Sequence, residues 1–163
     1  MTNRFRGLVP ALLLGAAACA GMPELFREPD VQLRQVVLRS VGLTGGTLDL
    51  MLQVYNPNRF DLRGTDLRLG FDVEGSHVGD VRYEEEYTVQ QGDTTVVTVP
   101  LRFEWAGVGN AFRSGLTSGD VPYTMQGEAR LDTPVGAHTV TFTRSGRVPL
   151  ARAAGVIVPS GGR

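Results

Sequence analysis

At 163 residues, 42% hydrophobic and 20% charged, the chain is long enough for one domain whose core needs no metal or disulfide staple. Its formal charge of −1 weakens any nucleic-acid reading, which would need a basic face, and its 16 basic residues, all arginine, are scattered rather than clustered. The single cysteine, Cys19, excludes an intrachain disulfide.

Arg4 and Arg6 precede a short apolar run over residues 8–18, LVPALLLGAAA. As a helix, eleven residues rise only about 16 Å against a hydrocarbon core of about 30 Å, so residues 1–18 read as a signal peptide and the protein is expected to be exported. Ala16-Ala17-Ala18 before Cys19 resembles the bacterial lipobox, in which the cysteine is lipidated and becomes the first residue. Ala16 stands where that motif usually has leucine, and the alternative is ordinary secretion after cleavage around Ala18-Cys19-Ala20. Lipidation at Cys19 implies a membrane partner engaged through lipid alone, stably with two or more acyl chains and marginally with one. Alanine rather than aspartate at position 20 implies the outer membrane, with the body facing the periplasm. Residues 21–30, GMPELFREPD, carry two prolines and no periodicity and read as a tether of up to about 35 Å. Losing residues 1–18 leaves 14 arginines against 17 acids, a net charge of −3.

From residue 31 the chain reads as short strands separated by turn residues. Residues 31–43 start with Val31, Leu33 and Gln35 on one side, then become continuously apolar at Val36-Val37-Leu38, and Gly45-Gly46 closes a hairpin. The organising stretch is 48–58, LDLMLQVYNPN. Leu48, Leu50, Leu52 and Val54 alternate with Asp49, Met51, Gln53 and Tyr55, the period of a strand. Asn56-Pro57-Asn58 then stops it, because proline cannot donate to a sheet ladder and asparagine side chains bond nearby backbone.

Residues 62–74 place Leu67, Leu69, Phe71 and Val73 on one face and Arg68, Gly70, Asp72 and Glu74 on the other; Gly75-Ser76 turns into a strand near 78–89. After Gln91-Gly92-Asp93, residues 94–105 align Thr95, Val97, Val99, Leu101, Phe103 and Trp105, while Pro100 marks an edge strand or a bulge. Residues 106–116 have helical spacing through Val108, Ala111, Phe112 and Leu116, and glycines keep that helix short. A strand through Val121, Tyr123, Met125, Gly127, Ala129 and Leu131, a turn at Thr133-Pro134-Val135-Gly136 and a return over 137–150 complete the domain. Residues 151–163 read as a flexible tail. About seven strands and one short helix predict an all-β fold, an antiparallel β-sandwich of immunoglobulin or fibronectin type III kind over 31–150.

That order of elements, with Tyr123-Thr124-Met125-Gln126-Gly127 and Thr133-Pro134-Val135-Gly136 following, resembles the late embryogenesis abundant type 2 group, also called the water-stress and hypersensitive-response domain, in its bacterial lipoprotein form. The resemblance covers about residues 31–150, and Val54-Tyr55-Asn56-Pro57-Asn58 is its most specific part. It implies a fibronectin-type sandwich, a role in desiccation and stress tolerance, and no catalysis or cofactor.

The residues themselves offer little chemistry. His77 and His138 lack a second histidine or cysteine at ligand spacing, so no metal is expected. Glu84 and Glu86 share a strand face, and the run Glu84-Glu85-Glu86 reads as solvated edge protection. Serines occur without a nucleophile-elbow pattern, and Gly45-Gly46 is not a phosphate loop. Phe103, Trp105 and Phe112 read as core packing under the short helix, against the alternative of a ligand groove between helix and sheet. Asn56, Pro57 and Asn58 read as a structural turn whose amides satisfy backbone, against the alternative of exposed amides contacting a partner or a sugar hydroxyl. The expectation is a non-enzymatic, lipid-anchored, stress-protective envelope protein; the alternative is an adaptor or ligand-binding module for an envelope partner.

Overall fold

The structure, a computed structural model, describes residues 25–106, 108 and 119–154. Eight strands run in chain order: β1 (Asp30–Val41), β2 (Gly45–Tyr55), β3 (Leu62–Val73), β4 (Ser76–Tyr83), β5 (Tyr87–Val89), β6 (Thr94–Glu104), β7 (Asp120–Thr133) and β8 (Gly136–Arg152). They lie on one hydrogen-bonded path, β4-β3-β7-β8-β1-β2-β6, with β5 also on β3. The path curls into a half-barrel until its end strands meet: a Cβ added to Gly79 on β4 would sit 2.7 Å from the Arg102 carbonyl on β6. β6 ends the path, consistent with exposed Pro100 on an edge strand.

Among the described residues the all-β expectation holds, and its finer terms change. Eight strands replace seven, and the sheet is mixed rather than antiparallel. The cause is the length of β8, whose end runs parallel to β1 through Val36↔Leu150, Val37↔Ala151 and Leu38↔Arg152. One curled sheet therefore joins what was expected as two sheets of a fibronectin-type sandwich. The strand also passes the expected boundary at 150, and Ala153 N donates to Leu38 O at 2.9 Å. No helix occurs among the described residues. The helix expected at 106–116 falls almost wholly outside them, with Val108 buried in the core.

Alternation decides which side chains enter the curl. Leu48, Leu50, Leu52 and Val54 are buried along β2, as are Leu67, Leu69, Phe71 and Val73 along β3. In β1 the alternation breaks, because a register shift between Leu33 and Gln35 re-phases the strand. Val31 and Leu33 point inward before the shift, Val36 and Leu38 after it, and Gln35 is left outside the core. The β3–β4 turn sits one residue earlier than expected. Glu74 (φ 48°) and Gly75 (φ 76°) are its central residues and Val73↔Ser76 closes it, a mirror-image turn whose twist suits a hairpin. The strand expected over 78–89 is split by Glu84-Glu85-Glu86 into β4 and β5.

Two glycines make room for rings. Gly64 on β3 lies under the Tyr87 ring, and Gly127 on β7 lies against Phe142 and Leu69; a Cβ at either would overlap them. Burial pushes the Tyr87 phenol up to about 12. Between the halves, the space bounded by Leu52, Leu62, Val97, Leu131 and Phe142 amounts to about 10 Å³, barely room for one water.

Candidate functional site

The stretch Asn56-Pro57-Asn58 stands where β2 leaves the sheet. Among the described residues, three polar side chains are buried: Asp49, Asn56 and Asn58. Asn56, fully buried, donates from Nδ2 to the carbonyls of Phe60 (2.8 Å), Val89 (3.0 Å) and Gln90 (3.2 Å), and its backbone N–H donates to Asp93 O at 3.0 Å. Its Oδ1 accepts from Asn58 N at 2.9 Å and Asn58 Nδ2 at 3.0 Å, closing an Asx turn around Pro57. One amide thereby ties the end of β2, its own loop and the β5–β6 connection together. A hydrocarbon side chain there would leave several buried carbonyls without a donor.

Asn58 faces the other way along the chain. Its Oδ1 accepts from Arg27 N and its Nδ2 donates to Arg27 O, both at 2.7 Å, so one side chain matches a whole peptide group. Phe26 stacks on His138 with ring centroids 4.0 Å apart and planes 5° apart. Pro29 lines the interior beside Val31 and Phe142. Arg144 donates from Nε to Val31 O at 2.8 Å and pairs through Nη2 with Asp30 Oδ1 at 3.1 Å. The segment read as part of a free tether is thus docked from Phe26 to Asp30. The expectation had assigned this stretch no partners, because its composition carries no period; only the spatial neighbours Asn58, His138 and Arg144 reveal its place.

The outward face of β4-β3-β7-β8 carries an open cleft of about 670 Å³. Cross-strand register sets two rows along it, Asp80–Gly70–Gln126–Thr143 and Arg82–Arg68–Glu128–Thr141. Gly70 keeps its floor low. Arg82 and Arg68 stand side by side, and Asp66 lies between them, 3.1 Å from Arg82 Nε and 3.6 Å from Arg68 Nη2. Hydrogen bonding to Asp66 raises the Arg82 guanidinium above its ordinary value. This face offers hydrogen bonds and both charges to water or to a polar ligand.

The remaining sequence candidates separate. His77 is exposed at the β3–β4 hairpin, its Nδ1 2.8 Å from Asp72 Oδ1 and its Nε2 3.1 Å from Asp80 Oδ2. The bond to Asp72 raises it above the usual histidine range, against some loss from burial and with a further contribution from Asp80. His138 lies 4.0 Å under Phe26 with Nε2 buried and unpartnered, so the two histidines serve different places. Glu84 pairs with Arg82 at 3.0 Å. Phe103 is buried with Trp105 edge-on at 5.0 Å, and Trp105 Nε1 donates to Gly42 O at 3.0 Å. Phe112 and Cys19 lie outside the described residues. The sequence reading missed Asp49, which is buried on the outward face of β2 and ion-paired with Arg39. A lone aspartate among the outward residues of an apolar strand was the available signal.

Comparison with solved structures places the fold. An Arabidopsis thaliana protein solved in solution is 20% identical, covers 89% of this chain and 98% of its own, and superposes with a TM-score of 0.63. A second solution structure, described as a candidate late embryogenesis abundant protein, is 17% identical and covers 76% of this chain and 72% of its own, with a TM-score of 0.49. An Archaeoglobus fulgidus protein is 11% identical over 76% of this chain and 95% of its own, with a TM-score of 0.46. No curated protein matches the sequence. Residues 51–146, most of the strand-bearing chain and including Asn56-Pro57-Asn58, match the Late embryogenesis abundant protein family LEA_2, and the chain belongs to that family.

Proposed function

We propose that this chain is a stress-protective, non-enzymatic protein of the cell envelope, exported by residues 1–18 and held to the membrane by lipid on Cys19. Family membership carries the reading. The body supports it physically. Its interior is filled, and the buried side chains of Asn56, Asn58 and Asp49 are bonded within the protein, the first two largely to backbone and Asp49 to Arg39. Its outward β4-β3-β7-β8 face is polar and charged. Such a body needs no reacting group to act: a stable, hydrated surface kept near a bilayer separates lipids and proteins as water is withdrawn. Ala20 after Cys19 supports the periplasmic face of the outer membrane as its place.

A strain lacking the gene is expected to lose survival after drying, and the intact gene, but not its Cys19→Ser form, to restore it. Unchanged survival of the deletion strain would end the protective reading. Equal fatty-acid labelling of the wild type and Cys19→Ser would end the anchoring one. The 670 Å³ cleft favours a second reading, a module that offers its rows of arginine and acid to a polar ligand or envelope partner.

A further inference from the structure

We infer that the end of the half-barrel carrying Asn56-Pro57-Asn58 is the surface that lies on the bilayer, in the headgroup layer of the membrane that holds the chain's own lipid. This deepens the anchoring reading above and rests on it. Three turns converge at that end: Asn56 to Asp61 between β2 and β3, Gln90 to Asp93 between β5 and β6, and Pro134-Val135 between β7 and β8. The docked segment leaves the body there too. Arg27 is held at both its N–H and its C=O by Asn58, Phe26 lies flat on His138, and the chain first stands clear at Leu25, which is 70% exposed.

The clamp shortens the leash. From Cys19 to Phe26 there are seven residue steps, at most about 25 Å when extended, whereas a free tether to Asp30 would reach about 40 Å. The body itself is longer, since the 11 residues of β2 span about 36 Å. A lipid on Cys19 therefore keeps the clamped end near the surface and holds the opposite end away whenever the body stands upright.

The side chains at the clamped end favour that posture. Five large apolar residues are exposed among the described residues: Leu25, Leu43, Tyr55, Val96 and Val135. Leu25, Tyr55 and Val135 belong to the clamped end, and Val96 lies two residues inside it, since Tyr55 pairs with Thr94 and Gln53 with Val96. Leu43 alone marks the far hairpin. The exposed arginines Arg27, Arg59 and Arg63 stand there among the exposed acids Glu28, Asp61, Asp93 and Asp132, so apolar contact rather than charge favours the posture. Aliphatic and aromatic side chains such as Leu25, Val135 and Tyr55 suit the boundary between headgroup and acyl chain.

The test uses the full acylated chain, purified from producing cells and placed in phosphatidylethanolamine–phosphatidylglycerol vesicles carrying a headgroup quencher. Val135→Cys and Leu43→Cys each receive one environment-sensitive fluorophore. The label at 135 is expected to be quenched several-fold more than the label at 43. Phe26→Ala and Asn58→Ala, which release the clamp, are expected to shrink that difference while the protein still floats with the vesicles. Equal quenching, or stronger quenching at 43, in a chain that is acylated and floats overturns this orientation alone. A chain without acyl mass on Cys19 that stays off the vesicles overturns the anchoring reading and the orientation with it.

Discussion

At one end of the half-barrel, Asn56 and Asn58 draw two turns and the incoming chain together through buried amides, with seven side-chain hydrogen bonds among residues 27, 56, 58, 60, 89 and 90. At the other end backbone bonds and turn geometry close the connections, with the Trp105 indole adding one side-chain bond to Gly42 O. Gly42 N donates to Gly45 O at 2.7 Å, Trp105 N to Thr44 O at 2.9 Å, and the β3–β4 turn is made by the positive φ of Glu74 and Gly75. Amide pinning demands one residue type at each position, because no other side chain of that size offers an NH2 with two donors beside a separate carbonyl acceptor. Backbone closure demands instead that nothing be added where strands and turns approach.

The two ends should therefore fail differently. The largest effect is expected from Asn56→Asp, which keeps the shape but aims a carboxylate at the carbonyls of Phe60, Val89 and Gln90. A loss of roughly 3–5 kcal/mol in urea unfolding is expected for such an uncompensated buried charge, easing at low pH as the carboxyl protonates. Asn56→Ala, which removes the donor without adding a charge, should cost less, about 1–3 kcal/mol in all. If aspartate were tolerated as well as alanine, pinning by donation would be wrong.

At the opposite end, Gly45→Ala puts a Cβ into the Phe103 carbonyl, backbone against backbone. About 1–3 kcal/mol of destabilisation is expected from such overpacking. Conversion of Gly75 to asparagine, which tolerates positive φ, should be close to neutral by the same urea measurement. A large loss there would show that the far end too depends on more than backbone geometry.

The smallest effect is electrostatic. His77 is raised in the folded protein by Asp72 and Asp80, so its contribution is fully present below about pH 6.5 and is lost as pH rises through the higher folded value. Exposure limits it to under about 1 kcal/mol. His77→Gln should remove this slope from the stability–pH curve above pH 6.5, whereas a retained slope would assign it to another group.

Much of this was legible in the sequence because strand alternation is local. Leu48, Leu50, Leu52 and Val54 point inward in the order their period demands, and Pro100 falls on an edge strand. The register shift after Leu33 was not legible, because the strand Val36-Val37-Leu38 is apolar on both sides and either phase fits. The turn at Glu74-Gly75 was displaced by one residue because Gly75-Ser76 also has hairpin composition.

The sequence by itself determined that the described residues are all-β, that β2 ends at Asn56-Pro57-Asn58, and which residues of β2 and β3 form the core, since period, proline and amide chemistry act within a few residues. Only the tertiary structure decided that the sheet is mixed, that it curls until β4 meets β6, and that Asn58 grips Arg27 across 31 residues of sequence. Those outcomes depend on which distant backbone groups come within hydrogen-bonding reach, and the local pattern of neither partner carries that information.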